Sequence, residues 1–176
     1  RYRVFAQEVL KHTGYKIIYG SYASTDVYYR KPLTFHTCNP QAPATSFVMV
    51  NDIHGDNKLL EDLMSRCNLT QTDFVLFNGD MLSFINSEDQ LFKGFMDTAV
   101  RLFASEIPMY YARGNHETRG VFATEIQRYF SPCQEHLYYA FRQGPVYCIV
   151  LDTGEDKPDS DIEYAGITQY DLYRTE

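Results

Sequence analysis

Three stretches of the chain place side chains that bind metal or move protons directly after a short apolar run. Asp52 and His54 follow the run 47–50, Asp80 follows the run 74–77, and Asn115 and His116 follow the run 109–112. Carboxylate, imidazole and amide oxygen groups are ligands for divalent metals. An imidazole also exchanges protons near neutral pH. The three stretches therefore predict a site that binds metal or transfers protons.

These apolar runs are typical of strands in a buried parallel sheet, because each is short and bounded by turn residues. In open α/β sheets, ligands bind outside the carboxyl ends of the strands. We therefore expect the side chains of Asp52, His54, Asp80 and Asn115 to converge at one rim of the sheet.

The segments between the runs predict helices. Apolar residues recur at helical spacing between Asn57 and Cys67, and again from about Glu88 to Ala104. The first strand is expected over 46–51. An order of strand, helix, strand, helix, strand indicates a βαβ sheet with right-handed crossovers.

Further along the chain, a short helix is predicted over Val121–Tyr129. Two apolar runs, 137–141 and 146–151, flank Gly144 and Pro145 and predict a β-hairpin. An acidic loop is expected over 152–161. The last residues, 168–176, have the pattern of the first turns of a helix.

Residues 1–40 differ from the rest, since they are rich in Val, Tyr, Thr and Phe and are broken by Gly14 and Pro32. This composition favours antiparallel strands. Residues 41–45 are predicted to be a linker, because Pro40 and Pro43 prevent both a helix and a central strand. The predicted organisation is thus a β-rich segment (1–40), a linker (41–45) and an α/β domain (46–176).

Composition excludes some classes of function. The 176 residues carry a formal net charge of −7, which disfavours nonspecific binding of nucleic acid or of an anionic membrane. A phosphate ester remains a suitable substrate, because bound metal ions would dominate the local field. No apolar run approaches the roughly 20 residues of a membrane span.

None of the four cysteines forms a C-x-x-C pair, so a structural zinc site is not expected. Cys148 lies in an apolar run and is interpreted as a buried thiol.

Taken in order, Asp52-x-His54, Gly79-Asp80 and Gly114-Asn115-His116-Glu117 resemble the motifs of the calcineurin-like metallophosphoesterases, which include the purple acid phosphatases. Each motif alone is typical of an ordinary polar turn, and their joint order carries the resemblance. It implies an α/β fold, the N-terminal half of a metallophosphoesterase α/β sandwich, preceded by a few antiparallel strands of a sandwich-like segment. It also favours a periplasmic or secreted location.

The resemblance implies a hydrolase that cleaves a phosphate mono- or diester by attack of a hydroxide bridging two divalent metal ions. Asp52 and His54 would bind the first ion, Asp80 would bridge both, and Asn115 would bind the second. His116 would not be a ligand but would assist the leaving group. Catalysis is thus assigned to His116, Asp80 and Asn115. Glu117 is interpreted as orienting the His116 imidazole.

The metal ions expected from the resemblance are manganese, zinc or iron. Purple acid phosphatases carry a tyrosine ligand three residues after the aspartate of the Gly-Asp motif. Here Asp80 is followed by Met81, Leu82, Ser83 and Phe84, so that tyrosine is absent. Manganese, zinc or ferrous iron in a relative that is not purple fits this sequence better.

The family also uses histidines from later motifs, and after His116 this chain has only His136. We therefore expect the chain alone to be incomplete as an enzyme and to need a following segment to complete the site. The alternative hypothesis is a truncated or non-catalytic protein that keeps the phosphoesterase fold for binding or as a scaffold. A serine hydrolase or P-loop NTPase is not supported, because neither G-x-S-x-G nor G-x-x-x-x-G-K-[ST] occurs.

Overall fold

The computed structural model describes residues 2–25, 32–130 and 136–154. The chain divides into two compact units, Arg1–His36 and Thr37–Glu176, and each is described by itself. The predicted acidic loop, apart from its first residues, and the predicted C-terminal helix lie outside the described residues. The predicted limits of the β-rich segment, the linker and the α/β domain stay predictions.

The first unit contains an antiparallel hairpin of two strands, β1 (Phe5–Thr13) and β2 (Lys16–Ser24). Gly14 forms the turn with a φ of +58°, which a glycine adopts without steric cost. A single antiparallel bridge joins Tyr2 to Leu33. The predicted antiparallel character of this segment is confirmed, whereas residues 26–31 of its later part lie outside the described ranges.

The second unit is built on a parallel sheet of three strands in the order β3 (Phe47–Val50), β4 (Phe74–Asn78) and β5 (Met109–Ala112). Val50 pairs with Phe77, and Phe77 pairs with Tyr111. The carboxyl ends of all three strands therefore reach the same edge of the sheet. The predicted mixed α/β fold with parallel strands is confirmed.

Helix α1 (Asn57–Ser65) follows β3 and begins at Asp56, whose side chain accepts a hydrogen bond from the Leu59 N–H. Leu60 and Met64 are its buried residues, as the helical spacing predicts. The helix ends two residues before the predicted Cys67, because Arg66 already closes its last turn.

The helical segment α2 (88–104) follows β4 and is not uniform. Glu88–Leu91 and Asp97–Ala99 are α-helical, whereas Phe92–Met96 and Val100–Ala104 form wider π-helical turns. Such turns are uncommon and often occur near functional sites. The predicted helix is confirmed in extent, but its wide turns were not foreseen.

Each face of the sheet is covered by a different layer. On one face, Phe77 packs against Phe95 and Phe103 of α2, with ring centroids 5.6 and 5.8 Å apart. On the other face, Tyr110 stacks on Phe141 at a centroid distance of 3.6 Å. The parallel sheet is therefore covered on both sides, which agrees with its apolar strands.

Phe141 belongs to a hairpin of β6 (Tyr139–Gln143) and β7 (Val146–Val150), which confirms the predicted hairpin. The Tyr139 hydroxyl accepts a hydrogen bond from the Tyr111 N–H and donates one to its carbonyl oxygen. These contacts satisfy backbone groups of the outer strand β5, which an exposed sheet edge would otherwise leave unpaired.

Between β5 and the hairpin, two short 3₁₀ turns, His116–Thr118 and Ala123–Ile126, precede a single α-turn, α3 (Gln127–Phe130). The predicted helix over Val121–Tyr129 is therefore only partly correct. Gly120 has a φ of +99° and directs the chain into a turn, so helical geometry begins later than predicted.

Three of the four cysteines lie among the described residues. Cys38, Cys67 and Cys148 are free thiols, and Cys133 lies outside the described residues. Cys148 is half-buried rather than fully buried, and burial raises the pKa of its thiol.

No helix among the described residues has both the length and the apolar character needed to cross a membrane.

Candidate metal centre

The loops that follow β3 and β4 are joined by backbone hydrogen bonds. The Asp52 N–H donates to the Gly79 carbonyl at 3.1 Å, and the His54 N–H donates to the Asp80 carbonyl at 3.0 Å. These bonds continue the pairing of the two strands beyond the sheet. The side chains of both loops are therefore presented at one place.

Three side chains that can bind a metal ion lie close together at this edge of the sheet. Ligand atoms of His54, Asp80 and His116 all lie within 4.8 Å of one another. The two imidazole rings meet edge to face, with centroids 4.6 Å apart. Imidazole nitrogens and a carboxylate oxygen suit manganese, zinc and iron. The donor set therefore fits a divalent metal ion.

Asp52 lies at the border of this group. Its Oδ1 is 3.8 Å from Nε2 of His54, and its Oδ2 accepts a short hydrogen bond from the Asn51 side chain. The Asp52 side chain is 61% exposed and the His54 side chain 36%. Asp52 is thus beside His54, as predicted, on the more open side of the centre.

Asn115 lies at the start of the turn that holds His116. Its carbonyl oxygen accepts hydrogen bonds from the Thr118 N–H and hydroxyl, whereas its side chain does not cap the turn. The next N–H along the chain, that of His116, donates to Oδ1 of Asp80 at 3.1 Å. Residues 115 and 116 are therefore held directly against the Asp80 carboxylate.

Three of the predicted ligands have left-handed backbone conformations. The φ angles of Asp52, His54 and Asp80 are +58°, +50° and +55°. Residues with a Cβ seldom adopt this region, although Asp, Asn and His tolerate it better than most. Such conformations cluster at functional sites and persist only where surrounding contacts enforce them.

Gly79 and Gly114 allow the loops after β4 and β5 to approach each other. A Cβ on Gly79, whose φ is +85°, would lie 2.7 Å from the Gly114 Cα. A Cβ on Gly114 would lie 2.2 Å from Oδ1 of Asp80. Gly79 makes a sharp turn, which its positive φ permits. Gly114, by contrast, has no left-handed φ, and it is needed because it leaves space for the Asp80 carboxylate.

Ser83 connects the two histidines. Its hydroxyl lies 3.0 Å from Nδ1 of His54, and its carbonyl oxygen lies 3.3 Å from Nδ1 of His116. The buried guanidinium group of Arg119 contacts the His116 ring, with one nitrogen 3.0 Å from Nδ1. Neither residue was identified from the sequence, because neither belongs to a motif.

Glu117 is fully buried and holds the backbone of both glycine loops. Its Oε2 accepts from the N–H groups of Asp80 and Gly114, and its Oε1 accepts from the Leu82 N–H, all at 2.9 Å. Burial raises the pKa of this carboxyl group, whereas the three N–H donors favour its charged form. The prediction that Glu117 orients the His116 imidazole is wrong, because both of its oxygens are bound to backbone N–H groups.

Replacement of Glu117 by alanine is expected to lower the free energy of unfolding by about 3 kcal/mol or more. Three buried N–H groups would lose their acceptor, and each such loss costs about 1–3 kcal/mol. Denaturant unfolding of the wild type and the variant measures this difference. Glu117→Gln, which retains one acceptor oxygen, should fall between them. An alanine variant as stable as the wild type would show that the three bonds contribute little.

A second buried group also holds the loop after β5. Arg113 donates two hydrogen bonds to Oδ1 of Asp152, from Nε at 3.1 Å and from a terminal nitrogen at 2.8 Å. The two side chains are 1% and 3% exposed. Asp152 follows β7, so the pair joins the hairpin to the residues directly before Asn115.

Comparison with known proteins shows where this architecture occurs. The chain has 17% sequence identity to a purple acid phosphatase isolated from yellow lupin (Lupinus luteus) seeds, with a TM-score of 0.52. The match covers 91% of this chain but 30% of the lupin chain, so it establishes similarity of fold. A search of the curated proteins finds no match. Residues 45–174 match the family model of the calcineurin-like phosphoesterases, and the chain therefore belongs to that family.

Proposed function

We propose that this protein hydrolyses a phosphate mono- or diester with the help of two divalent metal ions held at the edge of the parallel sheet. The observation that carries the proposal is the meeting of His54, Asp80 and His116 within 4.8 Å, in a chain of this family. A periplasmic or secreted location stays a prediction.

The residues proposed to hold the ions are Asp52, His54, Asp80 and Asn115. When bound, divalent ions supply Lewis acidity that activates a water molecule and neutralises phosphate charge. The left-handed loops and the Glu117 hydrogen bonds fix the backbone of Asp80. This preorganisation lowers the conformational cost of forming the site.

His116 is proposed to protonate the leaving oxygen of the substrate. Two contacts hold the His116 ring in place: the Ser83 carbonyl oxygen lies 3.3 Å from Nδ1, and a terminal nitrogen of Arg119 lies 3.0 Å from Nδ1. An imidazole held at the reacting group in this way can transfer a proton to the leaving oxygen.

Metal removal tests the proposal. We expect the purified full-length protein to contain about two equivalents of manganese, zinc or iron, and to hydrolyse p-nitrophenyl phosphate or its bis ester. Treatment with a chelator should lower turnover by about 100-fold or more, since transition-state charge is then no longer stabilised. Elemental analysis and rate measurement after adding back each metal provide the readouts.

The control for this experiment is Asp62→Asn, which removes an exposed carboxylate on α1 and should change neither metal content nor rate. Metal-independent hydrolysis would contradict the proposed mechanism. A protein that binds metal but hydrolyses neither ester would instead support the alternative hypothesis of a non-catalytic binding protein.

A further inference from the structure

A groove of about 570 Å³ opens beside the candidate metal centre. It is bounded by the loop after β4 on one side and by the start of α2 on the other. Its lining residues are His54, Leu82, Ser83, Phe84, Ser87, Asp89, Gln90, Lys93 and Gly94. This volume lies within the range of small-molecule sites, about 300–1,000 Å³.

The groove begins at the metal centre itself. His54 belongs to both, and Ser83, which contacts His54 and His116, lies next to it in the lining. A phosphate group held at His54, Asp80 and His116 can therefore direct one ester substituent into the groove. In a phosphate monoester, that substituent is the leaving group.

Part of the groove wall is apolar, where Leu82 and Phe84 line it. The Leu82 side chain packs directly on the backbone of Gly94, where a Cβ would lie only 2.3 Å from Cδ2 of Leu82. Gly94 belongs to the wide turn Phe92–Met96 of α2, so this turn brings helix backbone to the groove surface. Phe84 is 40% exposed and presents an aromatic ring at the wall.

The positive and negative charges of the groove lining sum to zero. Lys93 forms an ion pair with Asp89 one helical turn earlier. Both side chains are largely exposed, at 71% and 75%. Within the described lining, apart from the histidine of the metal centre, these are the only two residues with ionised side chains. The groove therefore has no surplus positive charge for a second phosphate group, and its apolar wall disfavours a strongly hydrated substituent.

We propose that this groove binds the leaving group of the substrate and selects an uncharged, aromatic one, with Phe84 as the ring on which it packs. The inference rests on the proposed phosphoesterase function and adds to it a class of substrate. Aromatic pairs attract each other beyond the burial of their area. Combined with burial, this predicts a preference of about 10-fold for an aromatic over a small alkyl leaving group.

Two substrates and two inert analogues test the proposal. Benzyl phosphate and ethyl phosphate are both esters of simple alcohols, and only the first carries a ring. We expect kcat/KM to be about 10-fold higher for benzyl phosphate. In calorimetric titrations of the manganese-loaded protein, benzylphosphonate should bind about 10-fold more tightly than methylphosphonate, and this second readout needs no turnover.

Substitutions test whether Phe84 causes the preference for an aromatic leaving group. Phe84→Ala should remove most of the 10-fold preference in both rate and binding, while Phe84→Tyr should retain it. Phe35→Ala, which removes another exposed phenylalanine that does not line the groove, is the control and should change neither. Lys93→Ala should leave the preference for benzyl phosphate unchanged.

Each outcome separates the two proposals. Equal rates and affinities for the ring-bearing and alkyl compounds, with hydrolysis retained, would overturn the groove assignment and leave the phosphoesterase proposal standing. Hydrolysis of neither these two esters nor the p-nitrophenyl esters, with Phe84-dependent binding of benzylphosphonate, would refute the phosphoesterase function and support the groove. A loss of binding in Lys93→Ala would show that the groove recognises an anion, which also overturns the assignment.

Discussion

Replacement of Asp80 by alanine is expected to abolish both metal binding and hydrolysis. Asp80 is the only carboxylate in the three-residue cluster, and the His116 N–H donates to its Oδ1. Its removal deletes an anionic ligand and leaves the imidazoles of His54 and His116 as the remaining donors of that cluster. We expect turnover to fall by about 10³-fold or more, since loss of one electrostatic contact in an active site already costs about 10²–10³.

Elemental analysis of the Asp80→Ala protein should show less than half of the wild-type metal content. Asp80→Asn is the matched control, because asparagine keeps the side-chain volume and also tolerates the left-handed backbone at this position. Its metal content should fall while its stability stays near that of the wild type. An alanine variant with full metal content would show that Asp80 is not a ligand.

Replacement of His116 by alanine is expected to lower turnover by about 10²–10⁴-fold while leaving most of the metal bound, if the imidazole acts on the substrate. The loss should depend on the leaving group. A p-nitrophenolate leaves without protonation, whereas an alkoxide needs a proton, so alkyl esters should be damaged most. Rates for p-nitrophenyl phosphate and ethyl phosphate, measured with wild type and variant, give this comparison.

The same experiment distinguishes two roles of His116, that of a metal ligand and that of a general acid. His116 lies within 4.8 Å of the other two donors, close enough to be considered as a third ligand. A ligand role predicts loss of metal and equal damage to both esters, which would remove the general-acid assignment. His136→Ala is the control, because that ring stacks on Tyr138 and should affect neither metal content nor rate.

The sheet and the positions of its loops could be predicted because their cause is local. The strands around Phe74 and Tyr111 are short apolar runs that end in glycine-containing turns, and such runs are buried in parallel sheets. Once the strands were placed, their carboxyl ends had to share an edge. His54 and Asp80 follow two adjacent strands, so their proximity follows from the topology.

Other features depend on contacts that sequence spacing does not show. Glu117 is adjacent to His116 in sequence, yet it binds the backbone of Asp80, which is far away along the chain. The wide turns of α2 have nearly the same apolar spacing as ordinary helix, so periodicity does not reveal them. Phe84 lies in a loop without a periodic pattern, and only its exposure beside Leu82 and Gly94 indicates a role.

The left-handed backbone of Asp52, His54 and Asp80 has a consequence for how descendants of this chain diverge. Under the proposed function, selection acts on each of these positions twice, once for a group that ligates metal and once for a residue that accepts a positive φ. Asp, Asn and His satisfy both demands, and a β-branched residue satisfies neither. A paralogue that had lost catalysis would still keep Asp, Asn, His or Gly at these positions in order to fold. In such paralogues, the residues at these three positions would be retained because the backbone requires them. Substitutions at positions without a positive φ, such as Asn115 and His116, would therefore indicate loss of catalysis earlier.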